Sequence, residues 1–199
     1  MAGARDAALP AAVGAVSERE RRVPSERALV RAAQGGSAQA MEELFRLHWP
    51  RAHRAAWLVI HDAAAAEDVA QEAFLAAVRA LERFDRRRPF GPWLHRIVVN
   101  RAIDYARARD VRREVPADAV AEAAAPAGGG PSDAPSGELL GALALLAPEH
   151  RAVIVLRHLL GYTPGEIAAI LGLPRGTVNS RLRRGLDALA DPLREDVRP

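Results

Sequence analysis

Residues 114–136 place the strongest limit on the fold, because they divide the chain into two parts. This run consists mainly of Ala, Pro, Gly, Ser and acidic residues, and its few apolar side chains follow no regular period. Such a segment buries too little apolar surface to offset the conformational entropy lost on folding, so we expect a flexible linker. Two modules remain, residues 25–113 and 137–190, with a disordered tail at 1–24 and a second tail at 191–199.

Both modules are predicted to be all-α. Strong helix formers occur throughout, and no segment alternates polar and apolar residues with the period of a strand. Hydrophobic residues make up 49% of the chain, which is enough to give each module a core. The predicted helices are residues 25–34, 37–60 with a break or kink at Pro50, 63–83 and 92–113, then 137–146, 148–160, 163–171 and 174–190.

Several classes of protein are disfavoured by the composition. The chain has no cysteine, which excludes disulfides and thiolate metal sites. No apolar run approaches the ~18 residues of a membrane span, and residues 1–24 lack a signal-peptide pattern, so we expect a cytoplasmic protein. His48 and His53 lie ~140° apart on a helix and do not form a ligand pair, and no nucleophile elbow or phosphate loop is present. We therefore expect no enzyme, no cofactor and no metal.

The stretch from Thr163 to Gly185, TPGEIAAILGLPRGTVNSRLRRG, predicts two short helices joined by a tight turn. A capping hydroxyl, a proline and a glutamate open the first helix, and Gly172 and Pro174 separate it from the second. One stripe of the second helix is predicted to face the core: Val178, Leu182, Gly185, Leu186 and Leu189. The polar residues then point outward, with four arginines and no acid between Pro174 and Arg184. This pattern is typical of a helix-turn-helix, whose second helix enters the major groove, although a hairpin with a solvated basic face remains an alternative.

The basic residues are concentrated in the first module. All 28 basic residues are arginine, and the net charge of the chain is only +3. Residues 83–113 contain ten arginines and three aspartates, a net charge of +7, together with Phe84, Phe90, Trp93 and Tyr105. Proteins hold unpaired bases in this way, with cations along the backbone and rings stacked on the bases. The alternative is that Phe84 and Trp93 are core residues on either side of a loop.

The helix at 63–83 is predicted to be amphipathic. Its apolar stripe contains Ala66, Val69, Ala70, Ala73, Phe74, Ala77 and Leu81. Its opposite face carries Asp68, Gln71, Glu72, Leu75, Arg79 and Glu82. Such a face is often only solvated, but Leu75 exposed among acids points to a protein partner.

Three segments together resemble the small bacterial sigma factors of the extracytoplasmic-function group. They are DAAAAEDVAQEAFLAAVRALERF at 62–84, PFGPWLHRIVVNRAIDYAR at 89–107, and LALLAPEHRAVIVLRHLLGYTPGEIAAILGLPRGTVNSRLRRG at 143–185. The similarity covers both modules, in the right order across the linker. It implies a factor that binds core RNA polymerase and directs promoter recognition and strand opening.

The resemblance also implies the contact residues. Polymerase binding falls to Asp68, Gln71, Glu72 and Leu75. Contact with the single strand of the minus-ten element falls to Phe84, Arg87, Arg88, Phe90, Trp93, Arg96, Asn100, Arg101, Asp104 and Arg107. Contact with the minus-thirty-five duplex falls to Arg175, Thr177, Asn179, Ser180, Arg181, Arg183 and Arg184. The expected partners are core polymerase, promoter DNA and an anti-sigma factor, with no small-molecule substrate.

A free-standing helix-turn-helix regulator is the alternative function. Its N-terminal half would sense a ligand or mediate dimerisation. It accounts equally well for residues 163–185, but it leaves the basic, aromatic segment at 83–113 unexplained.

Overall fold

The computed structural model of the protein describes residues 25–113 and 137–195. Within these two ranges the secondary structure is helical, with short turns between the helices. The first module contains α1 (Glu26–Gln34), α2 (Ala38–Ile60), α3 (Ala63–Ala80) and α4 (Phe90–Arg113). The second contains α5 (Gly137–Ala144), α6 (Pro148–Ile154), α7 (Pro164–Leu171) and α8 (Arg175–Glu195). A 3₁₀ turn, Leu81–Arg83, follows α3, and a π-helical turn, Val155–Leu159, continues α6.

The predicted all-α class is confirmed, and two details differ. The predicted break at Pro50 does not occur, because α2 continues through this residue as one helix and packing along its length outweighs the ~3 kcal/mol cost of an internal proline. α8 continues to Glu195, so residues 191–195, predicted as tail, are helical. The predicted tail at 1–24 and the predicted linker at 114–136 lie outside the described residues.

Side-chain caps fix where most of these helices begin. The side chains of Ser25, Ser37 and Asp62 accept hydrogen bonds from amides in the first turns of α1, α2 and α3. Thr163 and Glu166 form the predicted capping box at the start of α7. Each cap satisfies an amide that has no partner within its own helix, which favours the observed boundary over its neighbours.

Within each module the helices pack through small and aliphatic side chains. In the first module α2 packs on α3 and α4, and α1 covers α2. In the second, α6 and α7 pack on α8. A Cβ added at Gly185 would lie 2.7 Å from Ile154 Cδ1, so the absence of a side chain there lets α8 approach α6 closely.

The two modules also pack against each other, which the sequence did not predict. α4 contacts α6 and α7, and α2 contacts α6. The buried apolar residues of both modules form one continuous core. None of the helices in the described parts of the chain is long and apolar enough to cross a membrane.

Candidate nucleic-acid interface

α8 presents the predicted polar face to solvent. Arg175, Asn179, Arg183 and Arg184 are exposed. Thr177, Ser180 and Arg181 are half-buried, and the Ser180 hydroxyl donates to the Thr177 carbonyl at 3.0 Å. The seven residues predicted to contact the duplex therefore lie on one helix. Four of them are exposed to solvent, and the other three are partly covered.

The predicted core stripe of α8 needs one correction. Val178, Leu182, Gly185 and Leu189 are buried, as predicted, whereas Leu186 is 44% exposed. At about 100° per residue, Leu186 lies roughly 80° from Val178, at the edge of the stripe. α6 therefore covers the centre of the stripe and leaves this leucine at its margin.

The turn between α7 and α8 has the geometry that a helix-turn-helix requires. Gly172 has a φ of 66°, in the left-handed region where a glycine carries no steric penalty. Its amide donates to the Ala168 carbonyl and closes α7. The chain then reverses in a few residues, so that α8 is held at a fixed angle to α7.

The aromatic residues around the loop at 84–90 form a cluster. Phe84 lies 4.7 Å from Trp93 and 5.8 Å from Phe90 between ring centroids, and Phe90 lies 5.4 Å from Trp93. Phe84 and Phe90 are only 7% and 4% exposed, whereas Trp93 is half-buried. Phe84 and Phe90 are thus core residues and not the predicted base-stacking rings. They hold the indole of Trp93 at the surface.

α1 fixes both ends of this loop, a role that the sequence reasoning missed. The Gln34 amide donates to the carbonyls of Leu81 and Phe84, at 2.8 and 3.0 Å. The Glu26 carboxylate accepts from the Phe90 amide at 2.9 Å and lies 3.2 Å from His48 Nε2. The sequence does show Glu26 and Gln34 as polar residues at the two ends of a short amphipathic helix. Their partners are distant in sequence, however, and depend on the tertiary fold.

The loop at 85–89 presents three consecutive arginines. The Asp85 side chain accepts from the Arg87 amide at 3.0 Å, and its carbonyl accepts from the Arg88 amide at 2.9 Å. This turn leaves Arg86, Arg87 and Arg88 exposed. The loop therefore concentrates positive charge beside Trp93.

α4 carries the remaining residues predicted to contact the single strand. At about 100° per residue, Arg96, Asn100 and Arg107 lie within about 40° of one another, and Trp93 and Asp104 lie about 20–40° beyond Asn100 on one side of them. Arg96, Asp104 and Arg107 are exposed, and Asn100 and Arg101 are half-buried. Arg101 lies further round the helix, toward α3, and donates to Glu72 at 2.9 Å. The predicted residues on α4 thus form a continuous face, of which the buried Phe90 is not part. Phe84, which precedes α4, is buried as well.

The predicted polymerase-binding residues share the outer face of α3. Asp68, Gln71, Glu72 and Leu75 are all exposed, Leu75 by 56%. The predicted apolar stripe of the same helix is buried. The sequence reasoning missed two exposed apolar neighbours, Phe45 and Val78, which extend the surface around Leu75. Phe45 is on α2, so only the packing of α2 on α3 brings it there.

Polar contacts from the second module reach the α4 face. Arg107 forms an ion pair with Glu149 at the start of α6. Burial alone would raise the pKa of Glu149, but hydrogen bonds with its own amide and with Arg107 hold it below the usual value. The Arg96 guanidinium lies beside Gly172 in the turn before α8. The His95 ring and the Tyr162 hydroxyl are joined at 2.7 Å.

The family models match both modules. Residues 44–112 match sigma-70 region 2, and residues 136–189 match sigma-70 region 4. The RNA polymerase sigma factor CarQ of Myxococcus xanthus is 35% identical over 80% of this chain and 92% of its own length. The ECF RNA polymerase sigma factor SigM of Mycobacterium tuberculosis is 33% identical over 90% of this chain and 88% of its own length. The chain belongs to the extracytoplasmic-function sigma factors.

This sigma factor also resembles solved structures of the family. It matches CnrH, solved in complex with the cytosolic domain of CnrY, with a TM-score of 0.66 and 30% identity over 87% of this chain and 99% of that one. The fold is also that of RpoE from Bartonella quintana, solved in complex with the anti-sigma factor NepR, with a TM-score of 0.62 and 24% identity over 79% of this chain and 98% of that one. The function of the chain is therefore promoter recognition in transcription initiation. Members of the family are initiation factors and not enzymes.

Proposed function

We propose that this sigma factor acts through three surfaces, each assigned to one partner. The outer face of α3 binds core RNA polymerase, the face of α4 with the loop at 85–89 binds the single strand of the minus-ten element, and α8 binds the minus-thirty-five duplex. The observation that carries the proposal is the face of α4. There the half-buried indole of Trp93 lies between the three loop arginines and the polar side chains of α4.

The polymerase-binding surface combines charge with an apolar centre. Asp68, Gln71 and Glu72 surround Leu75, which is exposed beside Val78. Exposed apolar side chains with a polar rim are typical of a protein interface, and the acidic rim suits a partner helix with basic residues. Such a helix can cover Leu75 while its cations meet Asp68 and Glu72.

The strand-binding surface consists of Arg87, Arg88, Trp93, Arg96, Asn100, Arg101, Asp104 and Arg107. In this proposal the arginines follow the phosphates, and Trp93 offers one side of its ring to an unpaired base. Stacking on an aromatic ring contributes ~1–3 kcal/mol per base. Because each base-pair step costs ~1.4 kcal/mol to unstack, opening about ten pairs exceeds what one or two captured bases return. The chain therefore traps openings together with polymerase and does not melt DNA alone.

The duplex-binding surface is the exposed side of α8. Arg175, Asn179, Arg183 and Arg184 face solvent and are free to reach base edges or phosphates. A bidentate arginine contact to guanine contributes ~1–3 kcal/mol of discrimination. Thr177, Ser180 and Arg181 are half-buried and are proposed to contact the backbone at the edge of the same groove.

Further parts of the proposal concern location and regulation. We place the protein in the cytoplasm, where the polymerase works, and assign it no catalytic activity. RpoE of Bartonella quintana was solved with the anti-sigma factor NepR, and an anti-sigma factor of this chain is proposed by similarity. The alternative of a free-standing regulator does not account for the match of residues 44–112 to sigma-70 region 2.

Transcription from genomic fragments tests the proposal. Core polymerase with this chain is expected to start specific transcripts without another sigma factor, and polymerase alone is the control. A regulator would instead protect duplex DNA by itself and require a second sigma factor. The proposed function would be rejected if the chain alone protected specific duplex DNA and core polymerase with the chain started no specific transcripts.

A further inference from the structure

α1 contacts both ends of the arginine-bearing loop that precedes α4. Gln34, the last residue of α1, donates from its side-chain nitrogen to the carbonyls of Leu81 at 2.8 Å and Phe84 at 3.0 Å. Glu26, the first residue of α1, accepts from the Phe90 amide at 2.9 Å. Both α1 side chains are half-buried. One nine-residue helix therefore holds the backbone on either side of the loop.

These hydrogen bonds constrain the backbone in a way that apolar packing does not. Burial keeps the rings of Phe84 and Phe90 in the core, but apolar contacts are non-directional, whereas a hydrogen bond limits the orientation of the groups that it joins. The Phe90 amide is the first of α4, where amides have no partner within their own helix. Trp93 lies in the same first turn. The bond from Glu26 therefore limits where the indole of Trp93 can point.

α1 is itself fixed to the rest of the first module. Its apolar side chains Leu29, Val30 and Ala33 are buried, and the helix packs on α2. The Glu26 carboxylate has a second contact, 3.2 Å from Nε2 of the buried His48 on α2. Both anchors of the loop are therefore carried by an element that is packed along its length.

An ordered loop matters more for reading a base than for attracting a strand. The three exposed loop arginines attract phosphates through their charge, and that attraction depends on how many cations are present. Stacking on Trp93 requires one particular arrangement of ring and backbone. If the loop is ordered before the strand arrives, binding does not bear the entropy of ordering it. Loss of the anchors should therefore reduce base-dependent binding and spare the electrostatic part.

We propose that Gln34 and Glu26 are positioning residues for strand capture, which hold the loop and the first turn of α4 in the geometry that receives an unpaired base. Neither residue contacts the DNA in this proposal. The inference rests on the proposed strand-binding role of α4, and it assigns to α1 a part in the sequence specificity of that surface.

Replacement of Gln34 tests the anchor at the start of the loop. Gln34→Met keeps a side chain of similar size and no charge, but it removes the donor. The probe is a labelled single strand that carries the minus-ten element of a start found by transcription, and a scrambled strand of the same composition is the comparison. With core polymerase, Gln34→Met is expected to lower affinity for the minus-ten strand about fivefold and to leave binding of the scrambled strand unchanged.

Fluorescence anisotropy at a series of salt concentrations is the measurement. The salt dependence of Gln34→Met should equal that of wild type, because no cation is lost. Gln39→Met makes the same change at an exposed position on α2 and is the control. If Gln34→Met kept the full preference for the minus-ten strand, or weakened both strands equally, Gln34 would have no positioning role.

Two substitutions of Glu26 separate the hydrogen bond from the charge. Glu26→Ala removes the acceptor for the Phe90 amide and should weaken binding of the minus-ten strand about fivefold. Glu26→Gln keeps an oxygen that can accept from this amide, so it should restore most of the affinity. Glu42→Ala, which removes an exposed ion pair with Arg46, is the control. Equal losses in the Ala and Gln variants of Glu26 would assign the effect to charge and contradict the proposal.

Amide hydrogen exchange in the free protein tests the order of the loop without DNA or polymerase. In Gln34→Met, the amides of Arg87 and Arg88 should exchange about threefold faster than in wild type, and in Glu26→Ala the Phe90 amide should do the same. Amides in the middle of α3 and α8 should keep their protection, which shows that both variants are folded. Unchanged exchange in the loop would overturn the proposal.

The outcomes distinguish this inference from the function on which it rests. If the wild-type protein with core polymerase shows no preference for the minus-ten strand, the proposed strand-binding role fails and the positioning role fails with it. If wild type shows the preference and Gln34→Met and Glu26→Ala retain it, only the positioning role is rejected.

Discussion

Arg101 on α4 donates a hydrogen bond of 2.9 Å to Glu72 on α3. The first residue is proposed to contact DNA and the second to contact polymerase. The two proposed surfaces therefore meet along one edge, and they are joined there by a solvent-exposed ion pair. Exposed pairs contribute only ~0–1 kcal/mol, so either partner can leave the pair for a new contact when the holoenzyme assembles.

Reversal of charge on the outer face of α3 is expected to weaken polymerase binding. Asp68→Arg places a cation in the proposed acidic rim and should lower affinity for core polymerase at least tenfold. The side chain is exposed, so the melting temperature should stay within a few degrees of wild type. Glu138→Arg is the matched control for charge, and fluorescence anisotropy of labelled protein is the measurement. Equal affinities of the two variants would remove this face from the proposal.

Removal of Arg184 is expected to weaken upstream promoter recognition. Arg184→Ala should cost ~1–3 kcal/mol at one base position if the side chain reads a base. If the side chain touches only phosphate, the loss should be uniform across sequences and the salt dependence shallower. Arg157→Ala, in the same module but outside α8, is the control. Binding of the holoenzyme to duplex promoters is the measurement, and unchanged binding would contradict both contacts.

Two aromatic substitutions separate stability from strand capture. Phe84→Leu removes atoms from a buried ring and leaves a small cavity, so it is expected to lower the free energy of unfolding by about 1–3 kcal/mol, with little effect on strand binding. Trp93→Leu is expected to weaken binding of holoenzyme to a single-stranded minus-ten oligonucleotide by ~1–3 kcal/mol. Urea unfolding and anisotropy provide the two measurements. If Phe84→Leu weakened strand binding more than Trp93→Leu, Phe84 and not Trp93 would be the ring that stacks on a base.

Stability is expected to fall in mild acid because of a histidine at the interface between the modules. Burial, together with the nearby His48 and Arg51 on α2, lowers the pKa of His95 from 6.5 to about 4. Tyr162 faces the same ring, and Glu26 lies near His48. Because the unfolded chain binds a proton at higher pH than the folded chain, the free energy of unfolding decreases as pH falls from about 6.5 to about 4. This single histidine accounts for about 3 kcal/mol.

Urea denaturation at a series of pH values measures this effect. His95→Gln should make the slope in that interval shallower without abolishing it, because burial also lowers the pKa of His61 to about 4. A fall in stability below this interval remains because the pKa of Glu149 is also lowered. His150→Gln is the control in the second module. A slope unchanged by His95→Gln would assign the acid sensitivity to other groups.

Much of the local structure followed from the sequence because it depends on neighbouring residues. The capping box of Thr163 and Glu166, the end of α7 at Gly172 and the buried stripe of α3 were all predicted correctly. Leu186 was not, since its position at the margin of the stripe depends on how far α6 covers α8. Phe84 and Phe90 carried no local signal that separates a buried ring from a stacking one.

The sequence by itself determined the helices, the division into two modules and the residues that carry charge to the outer faces of α3 and α8. These features depend on periodicity, capping and composition, which act over a few residues. Only the tertiary structure decided that Trp93 lies at the surface over Phe84 and Phe90, and that Arg151 reaches the Val59 carbonyl across 92 residues of sequence. Such contacts depend on which helix ends and apolar faces meet in space, and packing of the whole chain determines that.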